Sequence, residues 1–171
     1  ATPYGLDSVT GDACTEAGIR ELRRLGHCRI GLMTQVEERG GKLLRQTETF
    51  YRNWRLRMLE QFSAKEVDRM EIRIPVKAYE LPHQAFYDYL YVNGKDLPFT
   101  ALMLPLAVAW GVISAAADSG LAVPQKLSIL SIGDRQEARF YRPRLSLVRV
   151  SYRRHAELAL EALRRRMQEP G

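Results

Sequence analysis

The sequence has few cysteines and no uninterrupted hydrophobic run of the length of a membrane span. Only Cys14 and Cys28 occur among the 171 residues, too few for a disulfide framework or a cysteine metal cluster. A reducing cytoplasm is therefore the expected compartment. The most apolar stretch, residues 99–117, contains Pro105 and Gly111. It predicts a strand followed by a helix rather than a transmembrane segment.

The common catalytic and cofactor motifs are also missing. The sequence contains no GxGxxG, no GxxxxGK[ST] and no GxSxG. The three histidines, His27, His83 and His155, are far apart and have no metal-ligand partner at helical spacing. No carboxylate pair follows a predicted strand, so nothing assembles a nucleophile, a base and an orienting group. We therefore expect no enzyme activity, no metal and no cofactor.

The charge is basic but scattered. Lysine and arginine number 26 against 20 acidic residues, which gives a net charge of +6. Many arginines recur at helical spacing, for example Arg20, Arg23 and Arg24, and this pattern is typical of solvated helix faces. The residues 1–8 lack the charged and apolar regions of a secretory signal. These features predict a cytoplasmic chain without a membrane partner and without a nucleic-acid patch of its own.

Predicted strands and helices alternate along the chain. Gly26 and Gly120 end two of the helices, and Pro82 suits the first turn of another. The predicted strands are 28–34, 70–76, 99–104, 127–132 and 145–150, and the predicted helices are 12–25, 42–62, 82–91, 105–119 and 152–167. Repeated strand–helix units of this length predict an α/β fold with a doubly wound parallel sheet.

In such a sheet, ligands bind beyond the carboxyl ends of the strands. That rule nominates residues 35–49, 77–81, 105–107 and 133–136 as the segments around a site.

Three stretches, taken together, resemble one known family. They are ELRRLGHCRIG at 21–31, TALM at 100–103 followed by SGLAVPQKLSILSI at 119–132, and FYRPRLSLV at 140–148. Their order and spacing resemble the effector-binding part of lactose-repressor (LacI/GalR) family transcription regulators. In that family a helix ends in LGH-R-I, a strand begins with TA and a helix exits as GL-VP-D-S. The resemblance extends from about residue 9 to about residue 167.

The resemblance implies a periplasmic-binding-protein-like fold of type I, present mainly as its second lobe. It places residues 1–28, with the helix 12–25, in a remnant of the first lobe. Residues 29–147 would form the second lobe, and residues 148–171 a crossover strand and helix returning to the first. The apolar stripes of the helices 12–25 and 152–167 would then lack their usual cover. These stripes consist of Ile19, Leu22 and Leu25, and of Leu158, Leu160 and Leu163.

The resemblance also implies an effector site, from which this sequence departs. Phe50 stands where the family has an arginine, and Leu104-Pro105-Leu106 stands where it has an Asn-Asp pair. An acid that usually ends the next strand is displaced or lost at Asp134. These departures predict that a sugar is not bound in the conventional way, and that the effector is less polar or aromatic, or absent. The candidate ligand-binding residues are Gln35, Arg45, Thr47, Phe50, Tyr79, Asp134 and Arg135.

The leading interpretation is the effector-sensing and dimerising portion of a transcription regulator, a repressor by family resemblance. Its partners would be a small-molecule effector, a second copy of the chain, and operator DNA only through an amino-terminal helix-turn-helix domain absent from this chain. A periplasmic solute-binding protein of the same architecture is one alternative. An enzyme of another doubly wound family, dependent on Asp134, is a less favoured one.

Overall fold

A computed structural model of the chain describes residues 5–8, 11–37, 42–43, 45–75, 81–133 and 140–168. Its six strands form one parallel sheet in the order β1-β6-β5-β4-β2-β3, and this confirms the predicted α/β fold. The strands are β1 (Gly5–Ser8), β2 (Ile30–Val36), β3 (Glu71–Pro75), β4 (Ala101–Pro105), β5 (Ser128–Ile132) and β6 (Ser146–Val150). The helices are α1 (Gly11–Arg24), α2 (Arg45–Leu59), α3 (Ala64–Arg69), α4 (Leu81–Asn93), α5 (Leu106–Asp118) and α6 (Tyr152–Gln168).

Two glycines end helices as the sequence predicts. Gly26 and Gly120 have φ of 93° and 63°, a conformation that a residue with a Cβ rarely adopts. Just after them, the amide of His27 donates to the Leu22 carbonyl and that of Leu121 to the Ala116 carbonyl, over 2.9 and 2.8 Å. These bonds satisfy carbonyls that the helix leaves open. The chain therefore turns from α1 towards β2, and from α5 towards β5, at fixed points.

Helices cover both faces of the sheet. A Cβ on Gly18 of α1 would meet Met103, Leu130 and Val148, so α1 packs on the face that carries these side chains. Gly133, three residues after Leu130, faces the opposite side of the sheet. On that side α5 approaches closely through Leu106. Helix α2 packs beside α1, and α4 beside α5. The result is an α1–α2 layer and an α4–α5 layer with the sheet between them.

The structure corrects several predictions. The apolar residues of the predicted helix 42–62 include Leu56 and Leu59, which its composition indicates as core residues, but they are 59% and 41% exposed, because the buried face of α2 runs through Trp54 and Met58. Ile19 and Leu22 were predicted to lack cover, yet both are buried in the main core under α1. The short elements β1 and α3 were not predicted.

Other parts of the apolar stripes are exposed as the sequence predicts. Leu25 at the end of α1, and Leu160 and Leu163 in α6, each expose more than half of their surface. The division of the chain at residues 28 and 147 stays a prediction.

The free edge of the sheet at β3 is polar. Ile72 and Ile74 point into the core, while Arg73 and Pro75 between and beyond them are exposed. The Arg73 guanidinium lies 2.9 Å from a Glu71 carboxylate oxygen, and this hydrogen bond raises the pKa of Arg73 above its ordinary value.

Candidate functional site

A cavity of about 340 Å³ lies at the carboxyl ends of β2, β4, β5 and β6. In a parallel sheet, these ends and the helix starts that follow them meet at one edge, which is where ligands bind in open α/β folds. The lining residues are Leu32, Met33, Thr34, Gln35, Thr47, Phe50, Leu104, Pro105, Leu106, Ala107, Ile132, Gly133 and Val150.

The first turn of α2 forms one wall of the cavity. Thr47 is buried, and its hydroxyl donates to the carbonyl oxygen of Gln35 over 3.3 Å. This bond ties the start of α2 to the end of β2. Phe50, one turn along the helix, is partly buried, packs against the main core and lines the cavity.

The first turn of α5 forms the opposite wall. Pro105 ends β4 and occupies the position just before α5, and Leu106 and Ala107 follow at the cavity. A Cβ on Gly133 would lie 2.8 Å from the Leu106 Cβ, closer than real side chains approach. A glycine is therefore needed where β5 ends, so that the start of α5 can close over it.

The described cavity lining contains few polar side chains. Its polar side chains are Thr34, Gln35 and Thr47. The Thr34 hydroxyl donates to a Glu71 carboxylate oxygen over 3.2 Å, and the Thr47 hydroxyl is used as described above. Gln35 contributes a side-chain amide, which has both donors and an acceptor. No charged side chain belongs to the lining in this part of the chain.

The structure brings three predicted site residues together. Gln35, Thr47 and Phe50 all line the cavity. Arg45 is the first residue of α2, and its side chain lies outside the described part of the chain. Tyr79 also lies outside the described residues. The same holds for Asp134 and Arg135, so a role for these four side chains stays a prediction.

Sequence reasoning missed part of the lining. Thr34 and Ile132 were assigned to strands without a ligand role, although they precede the nominated segments directly. Val150 was missed because β6 was predicted to cross towards another lobe. The carboxyl-end rule, applied to β6 as to the other strands, nominates Val150.

The histidines occupy separate structural positions. His27 Nδ1 lies 2.8 Å from the Thr100 hydroxyl, and His83 Nε2 lies 2.8 Å from an Asp118 carboxylate oxygen. Within the residues that the structure describes, no three His, Cys, Asp or Glu side chains are grouped so as to hold a metal ion. None of the helices described there combines the length and hydropathy needed to cross a bilayer.

Comparison with known proteins identifies relatives. Residues 19–171 match the family described as periplasmic binding protein-like domain. The HTH-type transcriptional regulator GalR of Lacticaseibacillus casei is 28% identical over 173 aligned positions, covering 98% of this chain and 50% of that protein. The HTH-type transcriptional repressor PurR of Glaesserella parasuis is 35% identical over 78 residues, covering 46% of this chain and 23% of the repressor. The chain thus spans half or less of the length of these two relatives.

Solved structures show the same fold. The LacI family transcriptional regulator CCPA of Weissella paramesenteroides, solved with bound glucose, is similar with a TM-score of 0.69 at 21% identity. The match covers 95% of this chain and 58% of that one. Together with the family match, it confirms the resemblance that the motifs at 21–31, 119–132 and 140–148 indicate. This chain belongs to the family of periplasmic binding protein-like domains, as an effector-binding domain of the LacI/GalR type.

Proposed function

We propose that this chain is the effector-sensing and dimerising portion of a transcription regulator. The observation that carries the proposal is the cavity at the carboxyl ends of the strands, found in a chain of this domain family. A ligand there contacts the first turns of both α2 and α5, which belong to different helical layers. Binding with unequal affinity to two arrangements of these elements would shift their populations and pass the signal on.

DNA contact in this proposal belongs to a domain outside these 171 residues, as the names of the HTH-type relatives suggest. Because the regulator acts on DNA, we place it in the cytoplasm. We assign it no catalytic role. Residues 29–147 form the second lobe, and the segment from 148 leads to α6 and the first lobe. Helix α1 precedes this lobe and packs against its core, where Ile19 and Leu22 are buried.

The ligand in this proposal is not a sugar held in the conventional way. Phe50 and Leu104, which replace polar residues of the family pattern, both line the cavity. Buried hydroxyl groups without hydrogen-bond partners cost about 1–3 kcal/mol each. A sugar in this cavity would need hydrogen-bond partners that the Phe50 and Leu104 side chains lack.

A second copy of the chain binds, in this proposal, to the outer side of α5. The helix has no charged residue from Leu106 to Ala117. Trp110 and Phe140 are 64% and 65% exposed, and the Trp110 ring contacts the Tyr141 ring edge-on at 5.5 Å between centroids. Exposed aromatic clusters of this kind are typical of protein interfaces, and a two-fold dimer uses the same patch on both copies.

Sedimentation equilibrium tests the dimer. We expect a concentration-dependent dimer for the wild type and a monomer for Trp110→Glu, because the variant places a carboxylate at the centre of the patch. Tyr91→Glu is the matched control, since Tyr91 is an exposed aromatic residue of α4, and it should dimerise normally. A monomeric wild type, or equal dimerisation of both variants, would contradict the proposed interface.

Transcript profiling tests the regulatory role. Disrupting the gene that encodes this chain should change transcription of a small set of genes, as loss of a regulator does. The complete gene product should protect a short, two-fold symmetric DNA segment upstream of those genes from nuclease. An unchanged transcript profile together with no protected segment would contradict the proposal.

A further inference from the structure

We propose that a network of contacting side chains carries the state of one cavity hydroxyl to the protein surface at α3. This Thr34 network consists of Thr34, Glu71, Arg73, Tyr51, Arg55 and Asp68. Its use as a sensor of the effector rests on the proposed function. The coupling within the network rests only on contacts between these six residues.

The network begins at a buried threonine in the cavity wall. The Thr34 hydroxyl donates to a Glu71 carboxylate oxygen over 3.2 Å. A hydroxyl has one proton to donate, so it cannot donate to Glu71 and to an acceptor atom of a ligand at the same time. A ligand acceptor at Thr34 therefore takes this bond from Glu71, whereas a ligand that donates to the hydroxyl oxygen leaves the bond in place.

The Glu71 carboxylate has little access to water that could replace a lost donor. Its side chain is only 6% exposed, although it belongs to the edge strand β3. It also accepts two hydrogen bonds from the Arg73 guanidinium, over 2.9 and 3.0 Å. A buried carboxylate that loses a donor is destabilised, so we expect the Arg73 guanidinium to move towards the vacated oxygen. Arg73 can move because its side chain is largely exposed.

Tyr51 of α2 joins Arg73 to a second arginine. The guanidinium carbons of Arg73 and Arg55 each lie 5.9 Å from the centroid of the Tyr51 ring, which is within the range of a cation–π contact. The ring also contacts the fully buried Trp54, with 6.1 Å between the ring centroids. Because two cations share one ring that is held by the core, a displacement of Arg73 changes the most favourable position of Arg55.

The network ends at an exposed carboxylate of α3. Arg55 Nη1 lies 2.7 Å from an Asp68 carboxylate oxygen, and the Asp68 side chain is well exposed. Neither residue belongs to the cavity lining. Loss of the Thr34 hydrogen bond therefore alters an ion pair at the surface, where it can be read by another molecule or another part of the protein.

A second cavity threonine provides the matched control. The Thr47 hydroxyl donates to the Gln35 carbonyl oxygen over 3.3 Å, and Thr47 lies about two turns before Arg55 in the same helix. A disturbance that simply travelled along α2 would reach Arg55 more directly from Thr47 than from Thr34. The two threonines thus distinguish transmission through the Thr34 network from transmission along the helix.

NMR of the arginine side chains tests the network on the 171-residue chain without any ligand. Thr34→Val removes the hydroxyl proton while keeping a branched side chain, and it should shift the guanidinium signals of both Arg73 and Arg55. Thr34→Ser keeps the proton and should leave both signals close to their wild-type positions. Thr47→Val should shift amide signals in the first turn of α2 but neither guanidinium signal.

Substitutions at Tyr51 locate the connection between the two arginines. In a Tyr51→Leu background, Thr34→Val should still shift the Arg73 signal but should no longer shift that of Arg55. Tyr51→Phe keeps the aromatic ring and should preserve both shifts. Thr34→Ala removes the same proton and supplies the test if the valine variant fails to fold.

The outcomes decide the network separately from the proposed function, because no effector is present. A shift of both arginine signals that depends on the Thr34 proton and on the Tyr51 ring supports it. An Arg55 signal that does not respond to loss of the Thr34 hydroxyl overturns it. An equal response of Arg55 to Thr47→Val, or a response that survives Tyr51→Leu, also overturns it. The transcript and nuclease-protection experiments decide the regulatory role independently.

Discussion

Helices α1 and α2 are linked by charged side chains, whereas α4 and α5 are packed through small and apolar ones. Arg57 of α2 donates to a Glu16 carboxylate oxygen of α1 over 2.7 Å and to Glu60 over 2.6 Å. Arg23 of α1 donates to the Arg57 carbonyl over 3.1 Å. Hydrogen bonds to the two carboxylates raise the pKa of Arg57, and the bond to Glu16 has the larger effect. Arg57 is therefore a cation at neutral pH.

The α4–α5 contact depends on Gly111. A Cβ on this residue would lie 2.7 Å from the backbone nitrogen of His83 and 2.9 Å from the Pro82 Cβ. Around it, Val112, Ala115 and Ala116 are buried, and the His83–Asp118 pair lies at the more exposed margin. Both helix pairs flank the same sheet. We expect the two contacts to respond differently to substitution, because close packing is sensitive to side-chain volume, whereas exposed ion pairs contribute little to stability.

The largest loss of stability is expected from a substitution in the α4–α5 contact. Gly111→Val should lower the free energy of unfolding by about 3 kcal/mol, because the added side chain forces the backbones of α4 and α5 apart. Denaturant unfolding measures this change. Ala117→Val, at an exposed position of the same helix, is the matched control and should cost only about 0.5 kcal/mol. Because valine has a higher helix propensity than glycine, a loss in Gly111→Val no larger than that in Ala117→Val would contradict the role of close approach.

The next effect tests whether buried rather than charged contacts dominate the α1–α2 side as well. Trp54 is fully buried, and its indole N–H donates to the Ile30 carbonyl over 2.8 Å. Trp54→Phe should cost about 2 kcal/mol, because that carbonyl loses its partner and the smaller ring leaves space. Trp110→Phe, on the exposed side of α5, should change stability by less than about 0.5 kcal/mol. Thermal unfolding of both variants gives the comparison, and a reversed order would contradict it.

A smaller effect concerns α3, which follows α2. The Ser63 hydroxyl and backbone N–H bond to the Glu66 carboxylate, and the Glu66 N–H donates back to the Ser63 hydroxyl. Ser63→Ala should cost about 1 kcal/mol at neutral pH. The Ser63 hydrogen bonds hold the pKa of Glu66 below its ordinary value of 4.5. A carboxyl with a depressed folded-state pKa stabilises the fold above its unfolded pKa and loses that contribution as the pH falls through the folded value.

The cost of Ser63→Ala should therefore shrink as the pH falls below 4.5. Melting temperatures measured across this range check the trend. Glu66→Gln retains a capping side chain that does not titrate, so its background should remove the pH dependence. A cost of Ser63→Ala that is constant with pH would count against the capping role.

The smallest effect is expected for the ion pairs themselves. Arg57→Gln should lower the melting temperature by only about 1 °C at low salt, since its carboxylate partners are well exposed. The difference should vanish in concentrated salt, which screens such pairs. Lys65→Gln, a charge removed from an exposed site on α3, controls for net charge. A large, salt-independent loss in Arg57→Gln would reverse the contrast between the two layers.

Much of the fold follows from local signals in the sequence. Helix α5 was predicted within about a residue, because Pro105 precedes it and Gly120 follows it. Strand β1 has four residues and, in the described part of the chain, pairs with β6 alone, so no local pattern distinguishes it from a loop. Leu56 and Leu59 of α2 are exposed although they are apolar, because composition alone does not give the direction in which a helix face points.

The cavity was partly predictable for a related reason. Gln35 and Thr47 were found because strand ends in a parallel sheet converge at one edge, and Phe50 because it stands where the family has an arginine. The fact that α2 and α5 face each other across that edge depends on long-range packing, to which no short motif corresponds. The apolar character of the lining was nevertheless visible in Phe50 and Leu104, since both are read directly from the sequence.

The polar edge strand β3 also determines how this molecule behaves when crowded with copies of itself. An approaching strand would need an unbroken row of backbone donors, and Pro75 provides none. It would also have to displace the Arg73 guanidinium from Glu71 and strip water from that guanidinium. Growth of the sheet into an intermolecular fibre is therefore blocked on this side.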